Sequence, residues 1–139
     1  MKPSLGKTIL TAAVTIVVVS IIAGVILVGS PSEGRIERLD STRIEDLRGI
    51  MRATDAYWDP NTRLPTTLEE LAADQRTRVS TIDPGSAESY EYRTLGDETY
   101  ELCATFDRES PPPTGRASAD FWRHGVVRQC FELNVDTSN

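Results

Sequence analysis

The side chains with chemical potential are few: two cysteines, Cys103 and Cys130, and a single histidine, His124. A thiol beside an imidazole is the residue set for nucleophilic thiol chemistry. Each cysteine falls within an apolar-patterned segment that reads as a strand, however, and a strand cysteine with a bonding partner is more often structural. His124 sits in Trp122-Arg123-His124-Gly125, where a lone loop histidine is usually a solvated side chain. There is no closely spaced Cys/His set for zinc and no EF-hand loop. The expectation is a non-enzymatic protein with no catalytic residues, no metal, no cofactor and no small-molecule substrate.

Two aromatic pairs, Tyr57-Trp58 and Phe121-Trp122, have two readings. Exposed, they would make a partner-binding patch, because aromatics are enriched at interface hot spots. Packed, Tyr57 would close a helix onto a sheet and Phe121-Trp122 would cover the core beneath a long loop. Charge narrows the class of partner. Both lysines, Lys2 and Lys7, lie before residue 29; everything after it carries 13 arginines against 21 acidic residues, a formal −8. Such a surface lacks the net positive charge needed to neutralise phosphates, which argues against nucleic acid and other polyanions.

The elements that must position these groups begin with an apolar run. From Thr8 to Val28 there are 21 residues without Asp, Glu, Lys or Arg. At about 1.5 Å per residue the run crosses a bilayer core of roughly 30 Å, following a short tail over 1–7. A cleaved signal peptide is the competing reading, since Lys2 and Lys7 precede the run and Gly29 and Ser30 follow it. The run exceeds the roughly 7–15 apolar residues of a signal core and lacks an Ala-x-Ala-like site, so an uncleaved single-pass anchor is expected. Basic residues on the two flanks nearly balance and leave its orientation open. The even cysteine pair suggests a disulfide in an exported domain, closing a 28-residue loop and contributing roughly 3–4 kcal/mol in the chain-entropy view. Two reduced thiols in a cytoplasmic domain would be the alternative.

Beyond the span, Gly29-Ser30-Pro31-Ser32-Glu33-Gly34 reads as a hinge over 29–34, leaving a soluble domain over 35–139. Apolar residues then recur at Ile36, Leu39, Ile44, Leu47, Ile50, Met51 and Tyr57, the spacing of an amphipathic helix from about Arg35 to Trp58. Asp59-Pro60-Asn61 ends it. Leu64 to Leu71 opens a short second helix, with Thr66 and Glu69, or Thr67 and Glu70, at capping-box spacing. After the turn signal Asp83-Pro84-Gly85 come three strands: Ser89 to Leu95, Thr99 to Phe106 and Val126 to Leu133. Gly96-Asp97 makes the first two a hairpin. The connection from Asp107 to Gly125 holds Pro111-Pro112-Pro113 and reads as a long loop. The fold class is α+β: an amphipathic helix packed on a three-stranded antiparallel sheet.

This order resembles the type IV pilin and type II secretion pseudopilin families. Tyr57-Trp58 leading into Asn61-Thr62-Arg63-Leu64-Pro65-Thr66-Thr67 is similar to the major pseudopilin segment in which a helix ends in a tyrosine before "NGRYPTT". Asp83-Pro84-Gly85 with Tyr90-Glu91-Tyr92 resembles that family's "DPWG…Y.Y" entry into the sheet, and Tyr100-Glu101-Leu102 its "YDL" strand. Together these cover roughly residues 35 to 106. The family's precursors carry a Gly, a cleavage point, an aromatic or Met and a Glu at the fifth mature position; here Gly6 is followed by Lys7 and the glutamate is replaced by Thr11. The resemblance therefore implies a pseudopilin-like domain on an ordinary anchor in a bacterial cytoplasmic membrane, extracytoplasmic, with an unknown envelope protein as partner. A true minor pseudopilin and a cytoplasm-facing regulatory or sensor domain are the alternatives. Major pseudopilins also hold calcium near the sheet, but Asp97, Glu98, Asp107, Glu109 and Asp120 match none of that ligand spacing, and solvated carboxylates are expected.

Overall fold

The computed structural model describes residues 5–28, 31–74 and 76–135, and the chain divides into two compact units, Met1–Arg35 and Ile36–Asn139. In the first, α1 runs Leu5–Val28. Within it Gly6–Ile26 is long and apolar enough to cross a membrane, and every side chain of that stretch is exposed. Three of its hydroxyls bond back to the helix: Thr11 donates to the Lys7 carbonyl (3.1 Å), Thr15 to that of Thr11 (2.9 Å) and Ser20 to that of Ile16 (2.9 Å). Back-bonding of this kind is how a hydroxyl is tolerated in a hydrocarbon environment.

The hinge reading of 29–34 needs correction from Pro31 onward, where α2 begins and runs to Asn61; Gly29 and Ser30 lie outside the described residues. Proline at the first helical position lacks only an N–H that would have no intrahelical acceptor anyway, so it starts a helix as readily as it breaks one. Pro60 lies within the last turn rather than beyond it. The helix stops one residue later, where Thr62 takes a positive φ of 50° and the Asn61 side-chain amide donates to the Tyr57 carbonyl (2.7 Å). Among the described residues of α2 the buried positions are Asp40, Arg43, Leu47, Ile50, Ala53, Thr54 and Tyr57, a stripe recurring about every three or four residues that faces the sheet.

The second helix is shorter than the sequence suggests: α3 is Leu68–Ala73. Thr67 is its N-cap, accepting from the Glu70 N–H (3.3 Å), while the Glu70 carboxylate reaches back one residue further to the Thr66 N–H (2.7 Å). The strands are β1 Glu91–Thr94, β2 Thr99–Phe106 and β3 Val127–Asn134, in the order β1-β2-β3 and antiparallel throughout. A four-residue helix, α4 (Ala117–Asp120), interrupts the long loop between β2 and β3.

Register settles the faces that alternation alone leaves open. Leu102 lies between Tyr92 and Phe131, and Tyr100 lies opposite Leu133, so these side chains share the face packed on α2. Cys103, Cys130, Arg128, Glu101 and Glu132 occupy the other face. Leu47 and Ile50 of α2, Leu71 of α3 and Tyr100, Leu102 and Phe106 of β2 form the fully buried centre. Tyr100 buries its hydroxyl beside Thr54, whose own hydroxyl donates to the Ile50 carbonyl (2.9 Å).

Urea denaturation of the protein should separate these two kinds of core position. Ile50→Ala removes packed methylenes and is expected to lose about 2–5 kcal/mol. Tyr100→Phe removes only a hydroxyl held away from water and should leave stability unchanged or raise it by up to about 1 kcal/mol. A large loss in Tyr100→Phe would show that the hydroxyl is well bonded in the core.

Candidate functional site

The outer face of the sheet carries the disulfide. Cys103 and Cys130 sit directly opposite each other in the β2–β3 register, their Cα atoms 4.0 Å apart, and they are bonded to each other. Arg128 crosses above them: its guanidinium pairs with both oxygens of Glu91 on β1 (2.9 and 2.7 Å), with Nη2 3.3 Å from the Cys103 sulfur. Cys103 is therefore buried although it lies on the side away from the core. Arg93 pairs with Glu101 on the same face (2.5 Å). Among the described residues, Glu101, Cys103 and Cys130 are the one group of His, Cys, Asp or Glu side chains close enough together to share a metal. Their sulfurs are joined and offer no thiolate.

His124 lies apart from both cysteines. Its ring stacks on Phe106 at 3.6 Å between centroids, and Phe106 belongs to the core face. Sulfur and imidazole are thus on opposite sides of the sheet. The carboxylates considered for calcium are dispersed as well. Asp107 binds Arg43, and Asp120 accepts from the N–H groups of Thr114 (2.9 Å) and Gly115 (3.0 Å), closing the turn that follows the three prolines.

The four aromatics do not form one patch. Tyr57 (5% exposed) donates its hydroxyl to Glu70 (2.6 Å), and Trp58 is half-buried against the core at the end of α2. Trp122 (6% exposed) packs on Phe131 at 4.9 Å, with Arg48 of α2 5.9 Å above its ring. Arg48 is nine residues before Tyr57, about two and a half helical turns away. Only Phe121 remains largely open, 46% exposed and perpendicular to Trp122. Between α2 and the long loop runs a groove of about 500 Å³ lined by Glu37, Ile44, Arg48, Arg108, Trp122 and His124.

Nothing in the local sequence marks the most heavily bonded group in the domain. Arg43, buried on α2, donates from Nε to Asp83 (2.7 Å) and from Nη1 to both Asp40 (2.7 Å) and Asp107 (2.7 Å). Asp83 also accepts the N–H groups of Gly85 (2.6 Å) and Ser86 (3.0 Å), and Asp40 those of Asp107 and Arg108. Burial alone would raise the Asp83 pKa; the Arg43 hydrogen bond and these backbone donors outweigh it and hold the carboxyl below its ordinary value. Gly85 admits the guanidinium closely: a Cβ there would come 2.6 Å from Arg43 Nη2. Nearby, burial pushes Asp46 up, opposed by the Tyr90 hydroxyl that donates to it (2.8 Å). An arginine inside an otherwise ordinary amphipathic helix reads as solvent-facing, and its partners lie 40 and 64 residues away.

No known protein family, curated protein or solved structure matches the chain.

Arg43→Ala should lose about 3–5 kcal/mol in denaturant unfolding, because Asp40 and Asp83 would keep their burial without their counter-charge. Acid should act on the domain's carboxylate contacts, both here and at Glu70 on α3. Arg63, then Tyr57 and the Thr66 N–H, draw Glu70 from an ordinary 4.5 to about 2. Its contribution, like that of Asp83, is complete above the unfolded value and is lost as pH falls through the folded one. Thermal midpoints measured between pH 6 and 2 are expected to fall below about pH 4.5, less steeply in Glu70→Gln. A flat profile would contradict the carboxylate contacts.

Proposed function

We propose that the chain is a non-enzymatic, single-pass membrane-anchored interaction protein whose pseudopilin-like domain lies outside the bacterial cytoplasmic membrane. The observation that carries this reading is the Cys103–Cys130 bond, since disulfides persist in oxidising compartments and are rare in the cytosol. The exposed apolar stretch Gly6–Ile26 supports the anchor. A long helix, a short capped helix and an antiparallel three-stranded sheet, in that order, support the pseudopilin-like class. Lys7 and Thr11, where a processed pilin would have an aromatic and a glutamate, favour an uncleaved anchor over a subunit built into a fibre.

What the domain offers a partner under this reading is a polar sheet face clamped by a disulfide and a groove beside α2 with Arg48 and Arg108 on its walls. Every cation of the soluble part is an arginine, and an arginine fork recognises carboxylates bidentately. The groove also carries Glu37, Asp40, Glu45, Glu109 and Asp120, so its walls suit a partner segment of mixed charge, while a domain of such negative charge disfavours nucleic acid.

The test is labelling of intact cells with a thiol reagent that cannot cross the cytoplasmic membrane, before and after reduction, with the mass of the mature protein recorded. Labelling only after reduction, at full-length mass, is the expected result. A mass beginning at Lys7 would place the chain among processed pseudopilins. Labelling that requires an opened membrane would sink the exported reading and favour a cytoplasmic regulatory domain.

A further inference from the structure

The sheet has two outer edges, and they are not equivalent. Hydrogen-bonded and non-hydrogen-bonded pairs alternate along an antiparallel ladder, so one bond fixes the direction of every backbone group. The Val135 N–H donates to the Glu98 carbonyl (3.0 Å). Leu133, Phe131 and Gln129 therefore bond to β2, while Asn134, Glu132, Cys130 and Arg128 turn their N–H and C=O groups outward. The Cys103–Cys130 Cα separation of 4.0 Å agrees, being nearer the roughly 4.5 Å of a non-hydrogen-bonded pair than the roughly 5.5 Å of a bonded one. The far side of β2 agrees too: the Leu95 N–H donates to the Thr99 carbonyl (2.8 Å), which makes Glu91 and Cys103 a bonded pair and turns the Cys103 backbone toward β1.

β1 is four residues long and presents two outward residues, Tyr92 and Thr94. β3 is eight residues long and presents four. Among the described residues, the one partner on that edge is the Gln129 side-chain amide, 3.4 Å from the Cys130 carbonyl. β3 contains no proline and is covered by no further strand. A long open edge is a template for another strand.

We propose that the β3 edge pairs antiparallel with β3 of a second copy of this chain, about a two-fold axis at Cys130. The occupant is read from charge complementarity. In that register Arg128 lies opposite Glu132 of the second copy and Glu132 opposite its Arg128, two cross-strand charge pairs on the outer face. Glu132 has no charged partner among the described residues, and Arg128, although paired with Glu91, stays half-exposed above Cys103, where a second carboxylate can reach its guanidinium. On the other face Val127, 65% exposed, meets Leu133 of the second copy. Two-fold registers centred one residue away place both charges opposite uncharged residues. Those centred two residues away bring Arg128 onto Arg128 or Glu132 onto Glu132. The sequence of β3 is thus self-complementary in one register, as an isologous contact requires.

This inference is independent of which compartment the domain occupies. Sedimentation equilibrium of the full chain in detergent micelles, across a concentration series, tests it. The protein is expected to dimerise, Glu132→Arg to weaken the dimer by about tenfold or more, and the swap Arg128→Glu/Glu132→Arg to restore it. Glu132→Pro removes an outward N–H and no ladder bond, and should abolish dimers while leaving the thermal midpoint close to that of the native sequence. As a second readout, Cys103→Ala frees Cys130 at the axis, where copper-phenanthroline in air should link it to Cys130 of the second copy. A monomer at all concentrations would overturn the proposal. So would a dimer indifferent to Glu132→Arg and Glu132→Pro, which would be held by the apolar helix instead.

Discussion

The domain is organised around a positive charge that cannot reach water. Arg43 draws in carboxylates from its own helix, from the turn before β1 and from the end of β2. A buried guanidinium is tolerable only when its donors are matched, and here the matching fixes geometry as much as energy. Because Asp83 also caps its own turn and Asp40 also holds the N–H groups of Asp107 and Arg108, the ion cluster sets where the chain enters the sheet and where it leaves. The apolar stripe from Leu47 to Tyr57 continues the same helix face, so packing and ion pairing fix a single placement of α2 on the sheet.

The course of the long loop follows from that anchor. Leaving β2 at Asp107 under the hold of Asp40, the chain passes three prolines, makes the short helix α4 and returns with Trp122 seated on Phe131 and beneath Arg48. The groove beside α2 is the space this path leaves. One end is fixed by ion pairs and the other by aromatic packing, so its walls are set by side chains distant in sequence. The outer face of the sheet is organised differently, by the disulfide and by arginine–glutamate pairs between strands.

What the sequence discloses follows from how local each signal is. Thr99 to Phe106 alternates cleanly and is found as β2 with those bounds, and the Gly96-Asp97 turn joins it to β1 as expected. Cys103 and Cys130 fall on strands and pair. Local signals fail where two meanings share one residue: Pro31 both breaks and begins helices, and an arginine between apolar positions faces water unless three acids converge on it. The two aromatic pairs are similar on paper, yet Tyr57 and Trp122 bury while Phe121 does not, because the packing of α3 decides the exposure of the first pair and the path of the long loop that of the second. The faces of β3 depend on register, which no single strand contains.

Mechanics gives the Cys103–Cys130 bond a further meaning. It separates its ends by 27 residues and encloses the whole loop between β2 and β3. Under tension applied across the domain, that segment is shunted out of the load path, and the extensible contour shortens by about 90 Å at roughly 3.4 Å per residue. Force passes from strand to strand through a covalent rung, while the enclosed loop and its groove wall stay unloaded. A domain so wired can be pulled from its ends without the loop wall of its groove being unwound by the pull itself.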